Sequence, residues 1–195
     1  MIGKKVISFF NLIQSKPVSD KAAQVMETAN GVPRFYFDLR RAKAALQKDE
    51  TAFTPPVSLV FALHEALTMI HEEGLPAVLG RHLRLSEALQ AGCIALGLPM
   101  FPVARPLSAT VTVARVPDGM EGTTIVRHMH SRYRTVIAGQ RTKLSGRVIR
   151  IGTMGAIGKD DILTDLRHLE ETLRDLGRSV PTGAGVQAAT SALAG

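Results

Sequence analysis

One stretch near the C-terminal end constrains the fold more than any other. Ile162, Leu166, Leu169, Leu173 and Leu176 recur at spacings of three and four. Side chains so spaced share one face of an α-helix, and an apolar face of that length has to be buried. Asp160 stands where an N-cap belongs and Gly177 where a C-cap belongs, so the spacing predicts a helix between them. The surface it buries against must come from earlier residues. Thr110–Val116 (TVTVARV) and Arg147–Ile151 (RVIRI) are β-rich runs, and Val136–Gly139 is a shorter one. A helix from Thr123 to Tyr133, with Ile125, Met129 and Tyr133 on one face, separates the first run from the others. Helices first and then a β-α-β-β-α series predict an α+β domain, a mostly antiparallel sheet with helices on one face.

The first hundred residues read as helical. Asp20–Met26 is a short pattern stopped by Asn30-Gly31, and Phe35–Gln47 a longer one with Asp38 near its positive end. After Pro55-Pro56, Val60, Leu63, Leu67 and Ile70 form a stripe expected to be buried, ending at Gly74. Val78, His82, Leu85, Leu89, Gly92 and Leu96 form another, closed by Gly97. His82 lies within that stripe, which suits a hydrogen-bonded boundary histidine better than a catalytic one. Cys93 beside it suits a small packed hydrophobe better than a nucleophile. Lys5–Phe10 fits a strand ended by Pro17, and the Gly-, Ala-, Ser- and Thr-rich tail beyond Arg178 has no period and is expected to be disordered.

Several function classes drop out. The single cysteine allows no intramolecular disulfide, no Cys/His grouping has metal spacing, and a reducing compartment follows. The Lys4-Lys5 start followed by a short apolar stretch is broken by Asn11 and lacks a small-residue cleavage site, so the chain reads as cytoplasmic. No apolar run reaches the ~20 residues of a membrane span. The net charge is +7. The cations are interrupted almost everywhere, Arg40-Arg41-Ala42-Lys43 being the densest cluster, and aromatic residues are only 5% with no Trp. That composition fits a solvated basic face and argues against a nucleic-acid platform.

Two features carry chemistry. Strand alternation puts Arg150 on one face with Val148, and its place in a Val-Ile-Arg-Ile strand predicts partial burial. A buried guanidinium needs an anion: an internal carboxylate, for which Asp160 and Asp161 are candidates, or a ligand carboxylate gripped by the planar fork. Spacing does not choose between them. Thr51 and Thr54, ahead of Pro55-Pro56, either cap the following helix or offer hydroxyls to a phosphate at a helix start. The loop Ala138–Gly146 lacks phosphate-loop spacing, and no nucleophile elbow or dinucleotide fingerprint occurs.

The order of VPRFYFDLRRA, TAFTPPVSLVFALHEAL, EEGL, RHLRLSEALQAGCIALGL, SATVTVARVPDG and IAGQRTKLSGRVIRIGTMG resembles the C-terminal part of the class V aminotransferases. The similarity is to the alanine–glyoxylate and serine–glyoxylate aminotransferases, pyridoxal 5'-phosphate enzymes of fold type I. It runs from about Val18 to Gly177 and covers the family's C-terminal half or slightly less. The resemblance implies unassigned sequence over residues 1–17, a remnant of the large cofactor domain and linker over 18–56, the small domain over 57–177, and the tail over 178–195. It implies that Arg150 binds the substrate α-carboxylate, and that Thr51 and Thr54 contact cofactor phosphate across a homodimer. Some relatives carry tyrosine where Thr51 stands, and many carry histidine where this chain has Thr153. The family's Schiff-base lysine follows a Ser-x-Gln pattern and precedes a Pro-Pro-Gly stretch. Gln14-Ser15-Lys16 has the wrong order and lacks that stretch, so Lys16 is a poor counterpart and the 195 residues are expected to be inactive alone. The implied activity is amino transfer from alanine or serine to glyoxylate or another 2-oxo acid. The other reading is a non-enzymatic dimerisation or binding module, paired with itself or with a chain carrying a large domain.

Overall fold

The computed structural model describes residues 18–28, 33–104 and 106–194. The strand expected at Lys5–Phe10, the turn at Asn30-Gly31 and Lys16 all lie outside them. The chain forms two compact units, one up to Glu72 and one from Glu73 onward.

The first unit is helical: α1 (Asp20–Thr28), α2 (Leu39–Leu46) and α3 (Val57–Glu73), whose last residue opens the second unit. α2 is shorter than the Phe35–Gln47 pattern predicted because Asp38 takes the N-cap, accepting the Arg40 backbone N–H at 3.0 Å. Phe35 and Tyr36 turn instead onto Phe53, at ring-centroid distances of 5.5 and 4.5 Å, with Arg41 over the Phe35 ring. The stripe expected to be buried on α3 is not covered. Val60 and Leu63 are half-buried, Ile70 is exposed, and Leu67 keeps 49% of its surface in solvent. Not one described residue of this unit is buried. The helical period is present, and the described residues leave its apolar face largely open.

The second unit holds the core. It runs α4 (Leu75–Ala95), β1 (Val111–Arg115), α5 (Gly122–Tyr133), β2 (Ala138–Gly139), β3 (Val148–Gly152), α6 (Lys159–Asp175) and α7 (Ala184–Ala194). The sheet is antiparallel in the order β1-β3-β2, with Val113 and Ala138 both opposite Arg150 on the central strand. Thr112, Ala114, Ile149 and Ile151 face inward and are buried against the helices. The opposite face carries Val111, Val113, Val148, Arg150 and Gly152; Val148 is buried, and the other four stay partly or fully open. The expected α+β architecture, an antiparallel sheet covered by helices on one side, is the observed one. The backbone of Pro99–Phe101 pairs with β1 and covers that edge of the sheet, at 2.8 and 2.9 Å.

The apolar stripes of α4 and α6 meet in this core. Leu85, Leu89 and Leu96 of the first stripe and Ile162, Leu166, Leu169 and Leu173 of the second are almost wholly inaccessible. The α6 cap differs from expectation. Gly158 is the N-cap, and its N–H donates to the Asp161 carboxylate at 2.7 Å, while Asp160 is exposed. Gly177, at φ +87°, ends the helix as predicted.

The tail expected to be disordered is a helix. α7 packs along α4 through its smallest residues, Gly185 and Ala189, both buried. A Cβ on Gly92 of α4 would come within 2.9 Å of the Gly185 carbonyl, so the two backbones touch. The buried Glu170 ties the segment down. Its carboxylate accepts the Gly183 N–H at 2.7 Å and a bond from Arg174.

Candidate functional site

Arg150 projects from the centre of the open sheet face. The expectation of partial burial fails: Arg150 is exposed, and the residues opposite it on the neighbouring strands are Val113, half-buried, and Ala138, exposed. An exposed guanidinium is satisfied by water, so burial supplies no reason for an anion here. The internal-carboxylate alternative fails too. Asp161 holds the Gly158 N–H, and no ion pair joins Arg150 to Asp160, Asp161 or any other described acid. What remains is an oriented fork. The Arg150 Nε donates to the Gly139 carbonyl at 3.0 Å, which fixes the guanidinium plane. Its two terminal nitrogens have no partner among the described residues, the arrangement that a two-oxygen anion matches.

The space next to this fork is open. Gly152 follows two residues later on the same face, and a Cβ built there would meet nothing within 4 Å. Beyond it the chain leaves the strand. Thr153 is buried, its N–H on the Thr110 carbonyl at 2.9 Å and its hydroxyl donating to the Ala109 carbonyl at 2.8 Å. Met154, Gly155 and Ala156 are exposed, and Ile157 returns to the core.

Arg81, which the sequence reading did not single out, holds this segment. Its Nη1 donates to the Gly155 and Ile157 carbonyls at 3.1 and 2.9 Å. Its Nε and Nη2 grip both oxygens of Glu73 at 2.7 and 2.8 Å. The guanidinium keeps the Glu73 carboxyl below the usual carboxylate range. No periodic signal announces such a pair, since Glu73 and Arg81 flank the helix break at Gly74 and the carbonyls lie over seventy residues away in sequence.

Thr51 and Thr54 belong to the first unit and Arg150 to the second; each is placed within its own unit. Thr51 is half-buried, Thr54 is exposed, and neither hydroxyl has a hydrogen-bond partner among the described residues. They do not cap α3, whose first turn is closed by the Pro55 and Pro56 carbonyls. Free hydroxyls fit a phosphate as donors. His82 bonds within its own helix, Nδ1 lying 2.7 Å from the Val78 carbonyl. Cys93 is sealed in the core, where burial pushes its thiol up to about 12. Neither residue is placed for chemistry. Among the described residues no acid and histidine cluster fits a metal ion, and no helix is long and apolar enough to cross a membrane. Two cavities, about 420 Å³ beside Leu83, Ser86 and Gln90 and about 320 Å³ beside Val25 and Phe37, include none of Arg150, Thr51 and Thr54.

No protein-family model matches the chain. Among curated proteins it is 41% identical over 177 residues to a protein named soluble hydrogenase, small subunit, of Synechococcus sp. (strain PCC 6716), covering 90% of this chain and 46% of that protein. It is 33% identical over 181 residues to the serine–glyoxylate aminotransferase of Methylorubrum extorquens, covering 90% of this chain and 45% of the relative. Among solved structures, the ureidoglycine–glyoxylate aminotransferase of Bacillus subtilis superposes with a TM-score of 0.81 at 27% identity, covering 91% of this chain and 46% of that one. The chain thus spans about half the length of the curated relatives it matches. Similarity at that level, joined to the α+β architecture, makes the chain similar to about half of a class V aminotransferase, consistent with a C-terminal portion of one.

Proposed function

We propose that this chain is the substrate-carboxylate-binding part of a pyridoxal-phosphate-dependent aminotransferase that moves an amino group from alanine or serine to glyoxylate or another 2-oxo acid. The observation that carries this reading is the Arg150 fork on an exposed part of the sheet, fixed through Nε and, among the described residues, unpaired at both terminal nitrogens. Amino donor and acceptor share a carboxylate next to the reacting carbon, so one arginine can anchor both in turn. Thr51 and Thr54 would give their free hydroxyls to cofactor phosphate on a partner chain, with the 18–56 segment as the remnant of a large domain. The cofactor, when bound in the family, supplies the electron sink for the reaction. This chain's residues orient substrate and hold phosphate; the weak match at Lys16 supports a chain inactive by itself.

The test is titration of the 195-residue chain with glyoxylate and with alanine, followed by nuclear magnetic resonance. Shifts around Gly139 and Arg150 that vanish in Arg150→Gln support the reading, and equal binding by that variant overturns it. Loss of one bidentate contact weakens binding roughly tenfold or more. A cofactor absorbance change abolished by Lys16→Ala would refute the proposed inactivity. A second reading, a dimerisation module without catalysis, is supported by the large apolar side chains left exposed, Phe61 at 71% and Phe37 at 80% among them. A chain that self-associates and binds no carboxylate would favour it.

A further inference from the structure

We propose that the Glu73–Arg81 pair is a positioning element that sets the size of the acid accepted at Arg150. This rests on the carboxylate reading of Arg150 and adds to it. A ligand gripped by the fork has its body over Gly152, the only direction along the central strand where a missing side chain leaves room. The next obstacle along the chain is Met154–Ala156, an exposed stretch.

That stretch is anchored on both sides: Thr153 is fixed to Ala109 and Thr110, and Gly158 to Asp161. Between those anchors the described polar contacts are the two carbonyls on Arg81 Nη1, from Gly155 and Ile157. Gly155 sits at φ +88°, which glycine adopts without strain but is equally free to leave, so the turn is held in place by its contacts. Arg81 can stabilise it because its own plane is held by both oxygens of Glu73. The clamp therefore fixes how far the Met154 segment stands from the Arg150 fork. Arg81 contacts no ligand; it acts through the backbone it holds.

The experiment measures dissociation constants of the full chain for glyoxylate and for pyruvate, which is one methyl larger, together with amide exchange over residues 153–158. In Arg81→Gln, exchange there should accelerate. The ratio of the two constants should move toward one, with glyoxylate weakened roughly tenfold. Arg81→Lys should not restore the ratio, because one ammonium cannot serve two carbonyls and two carboxylate oxygens at once. Gly152→Val, which fills the gap without touching the clamp, should exclude pyruvate more than glyoxylate. An Arg81→Gln chain with the wild-type ratio, or a Gly152→Val chain that loses both acids equally, overturns the proposal. If wild type binds neither acid, or Arg150→Gln binds both unchanged, the carboxylate reading fails and this role for the clamp fails with it. The exchange data then still report whether Arg81 holds the segment.

Discussion

Two aspartates on α6 experience opposite environments, and the difference has a measurable sign. Asp175 is at the helix's C-terminal end, where the dipole disfavours an anion, yet His128 Nε2 lies 2.9 Å from its Oδ2 and the Tyr133 hydroxyl donates to the same oxygen at 3.1 Å. Those bonds hold its carboxyl below the ordinary value of 3.8. A depressed folded value means stability that is present above 3.8 and lost as pH falls through the folded value. Asp165, one face over, is pushed upward by loss of solvation, against the pull of His168. Its folded form keeps a proton that the unfolded chain has released, so stability falls as pH rises from 3.8 through the raised value and stays lower at neutral pH. Thermal melts should therefore diverge. Asp165→Asn should melt higher than wild type at pH 7, and the gain should shrink below pH 3.8. Asp175→Asn should melt lower at pH 7, and its deficit should close in stronger acid. Melting shifts of the same sign at pH 7 would contradict the contact geometry.

At the scale of elements, the decisive surface is the one between α4 and α7. A Cβ on Gly92 would lie 2.4 Å from Leu166 Cδ1 and 2.9 Å from the Gly185 carbonyl, and backbone cannot yield as a side-chain tip can. Gly92→Ala should cost about 1–3 kcal/mol in denaturant unfolding, as overpacking does. Gly80 on the same helix meets only the Arg84 Nη1 at 3.4 Å, and Gly80→Ala should instead gain up to about 1 kcal/mol from helix propensity. If both lost stability alike, close approach would not be what separates the two sites. This interface explains what the sequence left hidden. The stripes of α4 and α6 and the β-rich runs were legible because large apolar residues at fixed spacing have one economical arrangement. The α7 segment was not, since Gly185 and Ala189 pack by being small and leave no hydrophobic period. Its anchor, Glu170 on the Gly183 N–H, lies in another helix. Arg150 was found by its residue type inside a strand, but its exposure depended on which face the helices would cover. Arg81 was invisible because its partners come together only through the fold.

For the whole molecule, the two units differ in kind. From Glu73 onward, two apolar stripes, three strands and a small-residue helix close a core in which Leu89, Ile149, Leu166 and Leu173 have no accessible surface. Up to Glu72 no described residue is buried, so each helix there gains little from packing. An isolated helix of the length of α3, Val57–Glu73, is marginal in water, because nucleation is costly and propensity alone repays it slowly. Tertiary burial is what normally holds such a helix, and α3 carries the apolar residues for it without the cover. Local stability should follow this division. Limited proteolysis of the full chain should cut first within α1 to α3 and leave a resistant product beginning near Glu73. Amide exchange should be slow in β1, β3 and α6 and fast through α3. A product resistant from Val18, or equal protection in α3 and α6, would mean that the first unit has found a surface to bury against. Repeating the digestion over a range of chain concentrations then identifies that surface: protection of α3 that rises with concentration assigns it to a second copy, and protection independent of concentration assigns it to the chain itself.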